Sequence, residues 1–304
     1  MDKISVNPLV SVIVPNYNHA RFLDERMESI LGQTYQNFEV IILDDVSTDN
    51  SREVIEKYRN DPRVSQIVYN DENSGSPFKQ WNKGFRLAEG ELVWIAESDD
   101  SCERTMLERL VNCFGQHPDL SYAFAHSVSV DENGRERFEL QRNIRNDLFL
   151  DGRTFNHRYL LWGNIVFNAS SVLFRKDAAM TVDPEYMNYR GAGDWLFWME
   201  MAEKGSVAYV AQKLNHYRMY GQNTTAKASM SGREDIEDHQ VLQKFKSHGY
   251  GTPLEWLRIK KKYVCLIRYF NRYEDEAVRQ HSLSLWTPGP LVRLLAWGSY
   301  QLQK

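Results

Sequence analysis

The chain has 304 residues, 26% of them charged, and a net charge of −4. That length can bury a sizeable core in one large domain or in a domain with an appendage, and the mild negative balance excludes a nucleic-acid binder that works by overall charge. Three cysteines, Cys102, Cys113 and Cys265, with no CxxC spacing argue against a disulfide framework or a zinc site and fit a reducing cytoplasm.

Residues 1–8 lack the apolar stretch of a signal peptide, and no window approaches eighteen uninterrupted apolar residues. The expected location is therefore cytoplasmic. Residues 9–14 form a short apolar run rich in β-branched side chains, a predicted strand that ends at the turn cluster Pro15, Asn16, Tyr17, Asn18. Phe22, Leu23, Met27, Ile30 and Leu31 then recur at helical spacing. A second buried strand over 38–43 ends at Asp44 and Asp45, and residues 47–49 can cap the helix that carries Val54 and Ile55. A third strand spans 64–69. A helix over 78–88 stops at Gly90, and a fourth strand over 92–96 runs straight into Ser98, Asp99 and Asp100. Met106, Leu107, Leu110, Val111 and Phe114 mark another amphipathic helix.

Strands alternating with helices of ten to fifteen residues predict an α/β fold with a mostly parallel sheet. Ligands in such sheets bind beyond the carboxyl ends of the strands. Residues 15–17, 44–45 and 99–100 all fall at such ends. Further along, residues 122–125, 171–175 and 207–210 read as strands and 194–204 as a helix with a Gly205 stop. From Arg233 onward the pattern is mostly helical, broken by Gly249, Gly251, Pro253 and residues 288–290. The expected organisation is a catalytic unit over 1–230, divided near 115 into a nucleotide-binding half (1–115) and an acceptor-binding half (116–230), with a helical extension over 231–304.

The paired carboxylates Asp99 and Asp100 suit a hard divalent cation such as Mg²⁺ or Mn²⁺, which takes oxygen ligands and keeps substrate phosphates in its shell. Asp100 equally reads as a helix N-cap completed by Glu103. Asp44 could accept the imide N–H of a uracil, or serve a turn. Tyr17 could stack on a base. Asp194, at the start of a helix whose positive end favours its ionised form, is a candidate general base or a cap. Trp195, Trp198 and Trp162 could stack on sugar faces, against the default of core packing. No GxxxxGK[ST], GxGxxG or GxSxG element follows the first strand, which disfavours a P-loop enzyme, a dinucleotide redox enzyme and an α/β-hydrolase.

Taken together, VSVIVPNYN (10–18), FEVIILDDVSTD (38–49), NKGFRLAEG (82–90) leading into Ser98, Asp99 and Asp100, GDWLFW (193–198), and Tyr217, Arg218 through residues 222–224 resemble the family 2 glycosyltransferases with the GT-A fold. The resemblance covers about 8–226. It implies an inverting transfer of a sugar from a nucleotide-diphosphate donor, with UDP the expected nucleotide, to a glycan or lipid-linked glycan in bacterial surface polysaccharide biosynthesis. Within it, Pro15, Asn16, Tyr17, Asp44, Lys79, Asn82 and Asp99 would bind donor. Asp100 with Asp99 would hold Mn²⁺ or Mg²⁺, Asp194 would act as base, and Trp195 and Trp162 would meet the acceptor. Three positions depart from the family: Gly193 replaces an acidic residue, Tyr220 a histidine that can bind metal, and Trp81 a basic residue. A non-catalytic nucleotide-sugar or glycan binder and, less favourably, a nucleotidyltransferase are the competing readings.

Residues 251–304 carry nine basic and four acidic side chains, a net +5, interleaved with Trp256, Tyr263, Trp286, Leu294, Leu295 and Trp297. Such a segment suits the inner face of an anionic membrane. It also suits packing on the catalytic unit or on a second copy of the chain.

Overall fold

The computed structural model describes residues 4–220, 231–271, 273 and 275–302. Its strands are β1 (Val10–Asn16), β2 (Phe38–Asp44), β3 (Val64–Tyr69), β4 (Leu92–Ile95), β5 (Ser101–Cys102), β6 (Leu120–Val130), β7 (Glu136–Glu139), β8 (Leu148–Leu150), β9 (Val172–Arg175) and β10 (Ser206–Arg218). Among the described residues they form one sheet, ordered β3-β2-β1-β4-β9-β6-β10-β5, with β7 on β6 and β8 on β10. β1 runs parallel to β2 and β4, and β3 parallel to β2, whereas β9 is antiparallel to both β4 and β6. The expected halves 1–115 and 116–230 therefore contribute strands to the same sheet.

β1, β2 and β4 are buried on both faces, which is why they read as unbroken apolar runs. Val10, Val12 and Val14 enter one core with Leu23, Met27 and Ile30 of α1 (Ala20–Leu31) and Leu107 and Leu110 of α4 (Met106–Gln116). Ile13 enters the other core with Phe78, Trp81 and Phe85 of α3 (Pro77–Leu87). α2 (Ser51–Glu56) is short, and Asp49 joins it to α1 by accepting from Ser51 N and Ala20 N. Gly90 is required by close approach, since a Cβ there would sit 2.6 Å from the Leu9 carbonyl oxygen.

The second half adds α5 (Gly152–Arg158), α6 (Lys176–Ala179) and α7 (Gly193–Ala202). After the undescribed 221–230 come α8 (Arg233–Ser247), α9 (Pro253–Cys265), α10 (Glu276–Trp286) and α11 (Pro290–Gln301). Val241, Leu242 and Phe245 of α8 and Ile259 of α9 lie in the same buried cluster as Trp195–Trp198 of α7. The terminal helices thus close the core of the catalytic unit. All three cysteines are free, and among the described residues no helix is long and apolar enough to cross a membrane.

Two local expectations are corrected. Helix α4 begins after Thr105, not at Asp100, because Ser101 and Cys102 pair instead with His216 and Asn215 of β10. The strand expected over 207–210 continues to Arg218, with register shifts near Lys213 that keep it on β6 through a polar stretch.

Candidate active site

The parallel strands bring the ends of β1, β2 and β4 to one edge. Asn16 lies opposite Asp44 in register, and its side-chain amide donates to Asp44 Oδ1 at 2.8 Å and to Ser47 Oγ at 3.1 Å. Ser47 N donates to Asp44 Oδ2 at 3.1 Å. Asp44 is thus buried with one protein donor on each oxygen, and a second lone pair on each remains for a ligand N–H. Pro15 and Asn16 are buried beneath this turn, whereas Tyr17 is 48% exposed, as a stacking platform requires.

Asp45, placed at the strand end by the sequence but given no role there, is a hub. It accepts from Asn70, Ser74 and Gln80 side chains and so fixes the 70–76 loop and α3 to the sheet edge. Lys79 is exposed on α3 and donates to the Ser74 carbonyl. It opens on a cavity of about 700 Å³ that Asn70, Ser74 and Lys83 also line. Asn82, one turn on, is partly buried.

After β4 the adjacent aspartates divide. Asp100 is 1% exposed; its Oδ2 accepts from Asn168 Nδ2 at 2.9 Å and Ser170 Oγ at 2.6 Å, and its Oδ1 from Arg218 N at 2.9 Å. Burial and the neighbouring Asp99 charge raise its pKa. Asp100, the expected first metal ligand, is thus buried, and its oxygens tie β4 to β10 and to the 168–170 turn, with one donor on Oδ1 and two on Oδ2. Asp99 is the more open carboxylate. Its side chain is 21% exposed, and its Oδ1 accepts from none of the described residues. Tyr220 hydroxyl donates to Asp99 Oδ2 at 3.2 Å, and His19 Nε2 lies 3.1 Å from that hydroxyl and 3.9 Å from the same carboxylate oxygen. Ser98 Oγ closes the chain on His19 Nδ1 at 2.9 Å. If the Tyr220 proton points at Asp99, His19 is the Nε2–H tautomer. The histidine missing from position 220 is thus matched by an imidazole arriving from the turn before α1.

Glu97, also missed, accepts from the Trp81 indole at 2.9 Å, and burial pushes its pKa up to about 8. Trp81, where the family has a basic residue, is spent on this bond and on edge contacts with Phe78 and Phe197. Arg218 is fully employed: it holds the Asp99, Asp131 and Glu132 carbonyls and pairs with Glu25 at 2.7 Å. Residues 222–224 lie outside the described residues. Among the described residues no three His, Cys, Asp or Glu side chains are grouped to hold a cation. A hard ion at Asp99 would complete its shell with phosphate oxygens and water.

Asp194 is the second residue of α7 rather than its N-cap. Its Oδ1 accepts from Trp195 N at 2.7 Å and its Oδ2 from Asn164 Nδ2 at 2.9 Å. Burial pushes its pKa up to about 7, outweighing these two bonds and the helix end that was expected to keep it low. One face stays partly accessible. Gly193 is demanded by packing, since a Cβ there would lie 2.5 Å from the Phe78 ring and from the Tyr186 carbonyl oxygen. Trp195 is corrected as an acceptor platform: it is buried, bonds the Leu160 carbonyl and packs on Phe245. Trp198 is likewise core. Trp162 remains partly accessible. Asn164 holds Asp194 and Asn168 holds Asp100, so one short loop joins the two carboxylates.

A family model described as "Glycosyl transferase family 2" matches residues 11–182. The chain is 39% identical over 129 residues to "Glycosyltransferase GlyG" of Streptococcus pneumoniae, an alignment that covers 42% of each chain. It is 38% identical over 111 residues to "Poly(ribitol-phosphate) beta-N-acetylglucosaminyltransferase TarS" of Staphylococcus aureus, covering 35% of this chain and 19% of that protein. The chain thus spans well under two thirds of these two relatives. In structure it resembles S. aureus TarS 1-349 in complex with UDP-GlcNAc, with a TM-score of 0.64 and 19% identity over 97% of this chain and 92% of the other. It also resembles the mannosyltransferase PcManGT of Pyrobaculum calidifontis, solved with GDP-Man and Mn²⁺, with a TM-score of 0.58 and 17% identity over 100% and 83% of the two chains. Both likenesses support the same GT-A fold.

Proposed function

The chain belongs to glycosyl transferase family 2, and we propose that it transfers a sugar, with inversion, from a UDP-linked donor to a hydroxyl of a glycan or lipid-linked glycan during surface polysaccharide assembly. The observation that carries this reading is Asp194. It is a partly accessible carboxylate with a pKa of about 7, held by Asn164, and the loop that supplies Asn164 also supplies Asn168 to Asp100, the neighbour of the open carboxylate Asp99. A base of that pKa can accept a proton at physiological pH. Asp194 would take the acceptor hydroxyl proton while that oxygen bonds to the anomeric carbon. The bond from that carbon to the diphosphate oxygen breaks, and its electron pair leaves with UDP. Tyr17 would stack on the base, and Asp44 would accept the imide N–H that uracil offers.

Asp99 fits a divalent cation through its open oxygen, with His19 and Tyr220 beside it. When bound, Mn²⁺ or Mg²⁺ would supply positive charge to the leaving diphosphate. PcManGT carrying Mn²⁺ with its donor supports this assignment. α11 leaves Leu291, Leu294, Leu295 and Trp297 exposed, and we assign to this face a peripheral contact with the membrane that carries a lipid-linked acceptor.

The test is a thermal-shift screen of nucleotide sugars with Mn²⁺, followed by donor turnover in wild type and Asp194→Asn. A UDP-sugar should raise Tm in both proteins, and only the wild type should release UDP. Equal turnover by Asp194→Asn, or no shift with any nucleotide sugar, would remove the proposal.

A further inference from the structure

Helix α5 presents Arg153, Thr154, His157 and Arg158 outward, at the i, i+1, i+4, i+5 spacing of one helical face, and turns Phe155 and Asn156 inward. With Trp162 and Glu255 they line a groove of about 530 Å³ between the catalytic unit and α9. None of these residues belongs to the donor-side cluster of Asp44, Asp99 and His19.

The groove has rigid walls. Gly152 seats α5 against the end of α7 so closely that a Cβ would fall 1.6 Å from the Ala202 carbonyl oxygen. Asn156 donates to the Met199 carbonyl at 2.9 Å and to Tyr250 hydroxyl at 3.0 Å. On the facing side, Lys262 of α9 donates to the Trp162 carbonyl at 2.6 Å.

Its charge is one-sided. Glu255 is already committed, to the backbone and hydroxyl of Thr252 in a capping box and to His157 at 3.2 Å. Arg153 and Arg158 have no carboxylate partner among the described residues; both are exposed, with their guanidinium carbons 4.8 and 5.5 Å from the Tyr250 and Tyr159 ring centres. Two unpaired guanidinium forks beside an accessible indole match a sugar polymer that carries anionic oxygens.

The groove is also tied to Asp194 through the chain. Trp162 lines it, and Asn164, two residues on, holds the Asp194 carboxylate. Two residues of chain span at most about 7 Å. The groove and Asp194 are therefore joined by one short segment of chain, along which a glycan resting on Trp162 would approach the carboxylate.

We propose that this groove is the acceptor subsite, and that it selects an anionic glycan whose phosphodiester or carboxylate groups are read by Arg153 and Arg158, with a sugar face on Trp162. The proposal rests on the glycosyltransferase reading for what happens at Asp194, but not for binding itself.

The experiment is calorimetric titration of the full chain with three oligomers of equal length: a glycerol-phosphate oligomer, an oligogalacturonate and a neutral maltooligosaccharide. Wild type is compared with Arg153→Gln/Arg158→Gln, two exposed positions whose replacement leaves the core intact. At least one anionic oligomer should bind more tightly than the neutral one and weaken with salt, and the double variant should lose about tenfold in affinity while UDP binding is unchanged. Binding of the phosphodiester alone or the uronate alone identifies which anion is read. Equal binding of all three oligomers, no binding of either anionic one, or an unaffected double variant would overturn the proposal. Anionic-oligomer binding by a chain that turns over no nucleotide sugar would keep the groove and remove the transferase reading instead.

Discussion

Removing the amide of Asn164 should move the acid limb of the pH–rate profile, not merely lower the rate. Burial sets the Asp194 pKa to about 7. A base works ionised, so the rate should climb as pH rises through that value, about tenfold between pH 6 and pH 8 if ionisation alone governs it. Asn164 Nδ2 donates to Asp194 Oδ2 at 2.9 Å and so favours the charged form. A hydrogen bond to a charged group contributes about 1.5–3 kcal/mol. One pKa unit corresponds to about 1.36 kcal/mol, and water entering the partly open face would replace some of the lost bond, so Asn164→Ala should raise the midpoint by about one unit. At pH 7 the ionised fraction then falls from about a half to about a tenth, a fivefold loss of kcat, with near-complete recovery by pH 9. UDP release would be followed from pH 5.5 to 9.5 at saturating donor, with UDP affinity measured alongside. A loss equal at every pH, or a limb that stays put or moves to lower pH, would refute the reasoning. Stability should respond with the opposite sign. Between the unfolded pKa of about 3.9 and the folded value the native state binds the extra proton, so this residue's contribution to stability is lost as pH rises through that window.

The adjacent aspartates should separate cleanly. Asp99→Asn should weaken Mn²⁺-dependent UDP binding with little change in Tm, whereas Asp100→Ala should cost about 3–5 kcal/mol of stability by stranding Asn168, Ser170 and the Arg218 amide. Identical behaviour in denaturant titrations would contradict that division. Val46, a β-branched residue at φ 65° directly after Asp45, carries backbone strain. Val46→Gly should therefore raise stability by about 0.5–1 kcal/mol, seen as a Tm gain of about 1–3 °C, and a lower Tm would count against strain there. Replacing Leu294 and Trp297 by Glu and Ser on the exposed face of α11 should abolish co-sedimentation with anionic vesicles without moving Tm; unchanged partitioning would assign that face elsewhere.

How far the amino-acid order could be read follows from the range of each interaction. β1, β2 and β4 announce themselves because burial on both faces demands unbroken apolar runs, and their shared direction places residues 15–17, 44–45 and 99–100 at one edge without further information. The polar second half of β10 carries no such signal, since its place is fixed by pairing with β5 and β6 across the chain. Charge type alone could not distinguish Asp99 from Asp100: the difference lies in Asn168, Ser170 and Arg218, about 70 and 118 residues away. Trp195 looked like a sugar platform because aromatic residues beside a base suit one, but α8 covers it. His19 carried no local sign of its position, because only the fold brings it against Tyr220 and Asp99.

In the proposed reaction the 164–170 turn is the element that both centres share. From one side it offers Asn164 to Asp194, and from the other it offers Asn168 and Ser170 to Asp100. Asp100 in turn receives Arg218 N, and the Arg218 side chain holds the Asp99 carbonyl. A displacement of the turn would therefore change the position of the proposed base and the setting of the proposed donor-side carboxylate together. Positioning errors of about 1 Å can cost on the order of a hundredfold in rate, which gives a physical reason for joining the two centres through a single short, hydrogen-bonded turn. An acceptor resting on Trp162 would touch the same segment from outside. On this proposal acceptor binding and donor alignment would be coupled through four or five residues rather than through the whole domain.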